Sequence, residues 1–173
     1  MPTRVVACIA SVVVLTTGVR AAAPTRDEIL KAARSVIAEA RYATFVTIDE
    51  AGQPQSRVVD PFEPESDFII WIGTNALTRK VAHLAANPRV TLLYFDRARQ
   101  SYVAVNGTAA VVGEVSEKAK HWKDAWKAFY KDAYRGDDYV VIRVTPAHLE
   151  IVAEPLGMKS DPTTWRPVSL DFK

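Results

Sequence analysis

Hydrophobic and polar residues change their spacing along the chain, and these changes divide it into helices and strands. Apolar residues recur at helical spacing over 29–40 behind the capping pattern Thr25-Arg26-Asp27-Glu28, which predicts a first helix with one apolar face. Residues 42–48 then alternate as a strand, and a turn rich in Gly, Asp and Pro leads into a second strand over 55–60. These two segments predict a β-hairpin.

The middle of the chain holds its most apolar segments. Residues 68–72 form a continuous apolar run, which is typical of a strand covered on both faces. Helical spacing over 77–85 predicts a short helix, and residues 87–95 predict the next strand. A long strand is predicted over 101–112, with Gly107 as the expected site of a bulge.

The last third combines one aromatic helix with two more strands. Residues 116–131 predict a helix whose aromatic side chains we interpret as packing. Residues 139–144 and 147–152 predict two strands separated by Thr145-Pro146, and the proline-rich tail over 161–167 is expected on the surface. Six or so strands with few helices indicate a small, mainly β (α+β) barrel.

The first 21 residues have the pattern of a signal peptide. Arg4 precedes an apolar stretch over 5–17, and Val19-Arg20-Ala21 places small residues at the two positions that a signal peptidase reads. We therefore expect cleavage after Ala21, a secreted or periplasmic protein, and one domain over 22–173. The apolar stretch is short for a membrane span, so no stable membrane insertion is expected after cleavage, and an uncleaved anchor is the alternative.

Charge and composition exclude several classes of function. Loss of the leader removes two arginines and no acid, which takes the formal charge of +2 to zero, so nothing indicates binding to nucleic acid. The one cysteine, Cys8, lies in the leader. His83, His121 and His148 lack metal-site spacing, and a solvent-facing or capping role is expected for each. His121, next to Trp122, is a weak candidate for a haem ligand.

One segment has the chemistry of an anion site. Thr74-Asn75-Ala76-Leu77-Thr78-Arg79-Lys80 joins the end of a strand to the start of a helix. Helix starts favour anions, and an adjacent hydroxyl, guanidinium and ammonium group add charge-assisted hydrogen bonds. Taken alone, the segment is more typical of a solvated, basic first turn.

The order of three segments carries a family resemblance. Arg57-Val58-Val59, the segment from Thr74 to Lys80, and Asn87-Pro88-Arg89-Val90 together resemble the pyridoxamine 5′-phosphate oxidase-like family, and within it the general stress protein 26-like branch of flavin binders. The resemblance implies a split β-barrel of about six strands with flanking helices. It also implies FMN as cofactor, a small-molecule redox substrate, and a homodimer with the site between its subunits.

The resemblance also implies which residues bind the cofactor. Arg57 resembles the family's phosphate-binding arginine, and Val58 and Val59 resemble the backbone that runs along the isoalloxazine ring. Arg79 and Lys80 resemble a second phosphate clamp, to which Thr74 and Thr78 would add hydroxyl contacts. Tyr102 falls where the oxidase places a polar contact to the ring. No side chain need be catalytic, because the flavin carries the electrons or hydride.

Two departures from the oxidase itself bear on activity. Phe62 stands where the oxidase has a lysine, and the Arg-Leu-x-Pro ending of the oxidase is missing. We therefore expect an FMN-dependent oxidoreductase that is not a vitamin B6 oxidase. A non-enzymatic binder of flavin, deazaflavin or haem in the cell envelope stays open, because export separates the protein from cytoplasmic FMN.

Overall fold

The computed structural model describes residues 23–173, which contain three α-helices and seven β-strands. The helices are α1 (Arg26–Ala40), α2 (Arg79–Ala86) and α3 (Val115–Lys120). The strands are β1 (Ala43–Ile48), β2 (Pro54–Val59), β3 (Ile70–Asn75), β4 (Arg89–Asp96), β5 (Ser101–Val112), β6 (Tyr139–Val152) and β7 (Val168–Asp171). The expected signal peptide lies outside the described residues.

All seven strands form one curled antiparallel sheet. The order is β2-β1-β4-β5-β6-β3, and β7 also pairs with β6. Because β6 is 14 residues long, β3 pairs with its first half and β7 with its second half. The strands β2 and β3 are therefore the two edge strands of the sheet order. The candidate site described below lies between these two edges.

The first helix closes one end of the core. Thr25 and Glu28 form the predicted capping box, in which the Thr25 N–H donates to Glu28 Oε2 at 2.7 Å. The buried stripe of α1, which includes Ala33 and Val36, packs against β4 and β5. Below it, the inner face of the sheet buries Phe45 and Leu92 completely. Burial of this apolar surface is the main force that holds α1 to the sheet.

The predicted interruption at Thr145-Pro146 is wrong, because β6 runs through both residues. Its register with β5 shifts between Asn106 and Gly107, and Gly107 lies opposite Pro146. A Cβ on Gly107 would be only 2.1 Å from the Thr145 carbonyl oxygen. The bulge predicted at Gly107 is thus confirmed, and it lets a proline stay within the strand, since proline is tolerated in sheets at bulges.

The predicted helix over 116–131 is wrong in extent, because α3 ends at Lys120 and two short 3₁₀ segments, Asp124–Ala128 and Ala133–Arg135, follow it. The buried Tyr139 lies against this break. Its hydroxyl donates to the His121 carbonyl, and Trp122 and Tyr130 pack on its ring with centroids 5.1 and 4.9 Å away. These aromatics do pack, as expected, but around one ring and not along one stripe.

The seventh strand was not predicted. Residues 161–166 are exposed, as expected for the tail, but the chain then pairs with the second half of β6 as β7. No helix within residues 23–173 is both long and apolar enough to cross a membrane.

Candidate functional site

Three cationic side chains lie together where β2 meets the start of α2. Arg57 belongs to β2, and Arg79 and Lys80 form the first turn of α2. Lys80 Nζ donates to Thr74 Oγ1 at 2.8 Å, and the hydroxyl oxygens of Thr74 and Thr78 are 3.4 Å apart. We call Arg57, Arg79 and Lys80 the cation cluster. The structure thus brings together five of the eight residues implied by the sequence, and two more, Val58 and Val59, line a cavity with Lys80.

The cation cluster is not neutralised by the protein. No ion pair within residues 23–173 involves Arg57, Arg79 or Lys80. Asp60 lies next to Lys80 along the same cavity, but its carboxylate pairs with Lys123 at 2.9 Å. The positive charge is therefore available to an anion from outside the chain.

Burial and neighbouring positive charge lower the pKa of two members of the cluster. Burial lowers the pKa of Lys80, and the charge of Arg57 lowers it further. Burial likewise lowers the pKa of Arg57, with a smaller contribution from Arg79. Both causes disfavour the charged forms. A bound anion would act in the opposite direction and favour the charged forms.

Two polar groups of β1 accept hydrogen bonds from the Arg57 guanidinium. Its Nη1 donates to Thr47 Oγ1 at 2.8 Å and to the Phe45 carbonyl at 3.1 Å. Thr47 is fully buried, and its hydroxyl lies 2.8 Å from Nδ1 of the buried His83 on α2. The expectation of a solvent-facing or capping role is wrong for His83. The alternation over 42–48 places Thr47 on the core face with Phe45, and this polar residue in a core position was the available signal.

A cavity of about 250 Å³ adjoins the cluster. It lies between the two sheet edges: β2 contributes Val58 and Val59, and β3 contributes Gly73. Lys80 is shared with the cation cluster, and the remaining lining residues are Asp60, Trp126, Phe129 and Tyr130. We call this cavity the cleft. Its aromatic residues were expected only to pack against the barrel, and their part in the cleft could not be read from helical spacing.

Gly73 lets an aromatic ring close over β3. A Cβ at this position would lie 2.4 Å from the Trp126 ring, far inside van der Waals contact. Two other lining residues, Val58 and Phe129, are 71% and 75% exposed. The cleft therefore has a fixed wall at Trp126 and an open, apolar rim.

Tyr102 lies away from the cluster within one chain. It is on β5, opposite Phe95 of β4, and β1 and β4 separate β5 from β2. It does share the outer face of the sheet with Val58, because Val58 pairs with Thr44, Thr44 with Leu93, and Leu93 with Ala104, two residues from Tyr102.

The histidines are each engaged by the protein. His121 stacks on Trp71 at 4.2 Å between ring centroids, its Nδ1 lies 2.9 Å from the Glu117 carbonyl oxygen, and it caps α3 while being buried. His148 Nδ1 lies 2.6 Å from Asp171 Oδ1. Within residues 23–173, no three His, Cys, Asp or Glu side chains group as metal ligands.

Comparison with known proteins matches most of the chain to one protein family. A family model described as pyridoxamine 5′-phosphate oxidase matches residues 29–153. The pyridoxine/pyridoxamine 5′-phosphate oxidase of Ralstonia pickettii is 36% identical over 94 residues, which are 54% of this chain and 42% of that protein. The chain therefore spans less than half the length of the curated relatives that it matches.

Solved structures share the fold at low sequence identity. General Stress Protein 26 from Bacillus anthracis has a TM-score of 0.67 at 19% identity, over 83% of this chain and 98% of that one. An FMN binding protein from Nostoc punctiforme gives 0.61 at 12%, over 88% and 98%. A heme binding protein from Mycobacterium smegmatis gives 0.62 at 17%, over 87% and 59%. These likenesses confirm the mainly β split barrel with flanking helices.

Proposed function

Because the chain belongs to the pyridoxamine 5′-phosphate oxidase family, we propose that it binds FMN and places the phosphate of FMN on the cation cluster. The observation that carries this proposal is a set of three cations without carboxylate partners in residues 23–173, beside a cleft with aliphatic and aromatic side chains in its lining. The hydroxyls of Thr74 and Thr78 add polar contacts at the same place.

The cluster fits a phosphate in charge and in hydrogen bonding. A phosphate monoester carries about −1.5 to −2 charges at neutral pH and offers three strong acceptor oxygens. Guanidinium and ammonium donors form charge-assisted hydrogen bonds with such oxygens. The backbone N–H groups of Arg79 and Lys80 lie in the first turn of α2, where no intrahelical acceptor exists for them.

The cleft fits the flavin ring system. As an edge strand of the described sheet, β2 keeps one row of backbone N–H and C=O groups outside the ladder, and these groups suit a heterocycle at Val58 and Val59. Trp126 and Phe129 supply aromatic surface in the same cleft. Both the ring and the phosphate would then be held by neighbouring residues of one chain.

We propose flavin-dependent redox chemistry on a small molecule as the activity. Bound FMN supplies electron or hydride transfer, while the protein binds and orients the ring. Vitamin B6 oxidation is not proposed, because the Phe62 ring packs on His121 and Trp126, with centroids 5.2 and 5.9 Å away, and offers no cation. Non-enzymatic binding of flavin or deazaflavin is the alternative, and it uses the same cleft.

Haem is the less favoured ligand. The heme binding neighbour shares only the fold with this chain. His121 is enclosed by Trp71 and Phe62, and its Nε2 lies 3.8 Å from Glu65 Oε1. A haem ligand needs an imidazole nitrogen directed at open space, so these contacts argue against His121 in that role.

We also propose a homodimer. The outer face of the sheet exposes apolar side chains on β2 and β4, with Val58 at 71%, Phe95 at 57% and Leu93 at 39% exposure. We propose that a second copy covers this outer face, which consists of Val58, Leu93, Phe95 and Tyr102. Such an arrangement offers Tyr102 a route to the partner's cofactor. Export to the periplasm or beyond also stays a proposal.

The test is a titration of the purified protein with FMN and with riboflavin, followed by quenching of flavin fluorescence. The proposal predicts saturable quenching by FMN and binding of riboflavin that is at least tenfold weaker, because riboflavin lacks the phosphate. Bleaching of the bound flavin by a reductant, and its return with an acceptor, supports the redox activity. Absence of FMN binding would overturn the proposal.

A further inference from the structure

A buried hydrogen-bond chain runs from α2 through β1 to the cation cluster. His83 Nδ1 and Thr47 Oγ1 are 2.8 Å apart, and Arg57 Nη1 is 2.8 Å from the same Thr47 oxygen. Both His83 and Thr47 are buried, whereas Arg57 is only half-buried. The chain therefore connects the core of the barrel to the one cluster member on an edge strand.

Chemistry fixes the donor at the arginine end of this chain. Arg57 has only N–H donors, so the Thr47 oxygen must accept its hydrogen bond. The Thr47 hydroxyl keeps a second lone pair and one proton, so it can pair with His83 Nδ1 in either tautomer of the imidazole. In both cases Thr47 links the Arg57 guanidinium to the His83 ring.

We propose that Thr47 and His83 are positioning residues for phosphate binding, because they fix the Arg57 guanidinium in the orientation that faces an anion. This inference rests on the proposed binding of FMN at the cation cluster. It assigns a role to two residues that touch no cofactor and that no sequence motif indicates. The Phe45 carbonyl, at 3.1 Å, supplies the second anchor.

The physical basis is the cost of ordering a long side chain. Arginine loses rotamer freedom when it binds, and a partner that orders it beforehand removes that cost from the binding step. Arg57 lies on β2, at the edge of the sheet, where fewer neighbours restrain it. Thr47 holds the guanidinium at Nη1, so its other N–H groups can meet the phosphate.

Four substitutions test the inference. Thr47→Val and His83→Leu remove the hydroxyl and the ring nitrogen, respectively. Thr47→Ser keeps the hydroxyl, and His83→Asn offers an amide that can donate or accept at the δ position in place of Nδ1. For each variant, the affinities for FMN and for riboflavin are measured by fluorescence quenching, together with the melting temperature without ligand.

The inference predicts that Thr47→Val and His83→Leu weaken FMN about two- to tenfold and leave riboflavin unchanged, the range expected for losing one ordered side chain. Thr47→Ser and His83→Asn should restore most of the FMN affinity. A purely structural role would lower the melting temperature and weaken both flavins equally, and that result would overturn the inference.

Arg57→Ala separates this inference from the proposed function. If Arg57→Ala weakens FMN but not riboflavin, while Thr47→Val and His83→Leu change neither, then Arg57 binds phosphate without their help and only the inference fails. If Arg57→Ala affects the two flavins equally, the phosphate does not bind at Arg57 and the proposed site itself fails.

Discussion

Replacing Arg79 with alanine removes one cation of the cluster without touching the core. Arg79 is exposed in the first turn of α2, and no ion pair within residues 23–173 involves it. A change at such a position alters the free energy of unfolding by less than about 0.5 kcal/mol. Any effect on flavin binding can therefore be read as an effect on the site.

The expected loss follows from one charge-assisted hydrogen bond. Such a bond contributes about 1.5–3 kcal/mol, which corresponds to roughly a ten- to hundredfold change in affinity. We expect Arg79→Ala to weaken FMN by that factor and to leave riboflavin unchanged. Removing a positive neighbour should also raise the pKa of Arg57, because Arg79 contributes to its lowering.

The assay is parallel fluorescence titration with FMN and riboflavin at fixed ionic strength. Arg97→Ala is the matched control, because Arg97 is an exposed arginine in the turn between β4 and β5 and its loss changes the net charge equally. Equal weakening of both flavins by Arg79→Ala, or equal effects of Arg79→Ala and Arg97→Ala on FMN, would refute a phosphate contact at Arg79.

Three further outcomes are expected. Tyr94→Phe should raise the free energy of unfolding by about 1 kcal/mol, because the buried Tyr94 hydroxyl has no hydrogen-bond partner within the described residues. Chemical denaturation measures this change, and a loss of stability would show that the hydroxyl is hydrogen-bonded. The hydrogen bond with Asp171 raises the pKa of His148, and Glu150 raises it further. The resulting stabilisation is therefore complete below about pH 6.5 and is lost as pH rises through the folded pKa. Thermal melts should show this trend, and Asp171→Asn should reduce it. Phe95→Glu places a charge on the outer face and should convert the proposed dimer to a monomer, which light scattering measures. A molar mass equal to that of the parent dimer would exclude this face as the interface.

The parts of the fold that follow from local pattern were predictable. The capping box at Thr25 and Glu28 depends on residues three apart, and hydrophobic spacing marks α1 and the hairpin of β1 and β2. The glycine bulge was also visible, because a glycine within a strand pattern is a specific signal. In these cases the residues that cause the structure are neighbours in the sequence.

The parts that depend on distant partners were not predictable. Pro146 is tolerated because β5 shifts its register at Gly107. The helix α3 ends at Lys120, and the carbonyl of the next residue, His121, accepts a hydrogen bond from Tyr139 of β6. The spacing of a single segment contains neither fact, and local propensity yields to tertiary contacts in both cases.

The candidate site shows the same division. Thr78, Arg79 and Lys80 are adjacent in sequence, and their position at a helix start could be predicted. The support of Arg57 by Thr47 and His83 could not, because it joins residues from two strands and a helix. The cleft likewise depends on Trp126 approaching Gly73, which only the folded chain brings together.

A crystal structure of the protein with FMN tests the central claim most directly. We expect the phosphate oxygens within about 3 Å of donor nitrogens of Arg57, Arg79 and Lys80, and the ring system in the cleft along Val58 and Val59. A phosphate bound away from the cation cluster, with these three side chains facing solvent, would contradict the account.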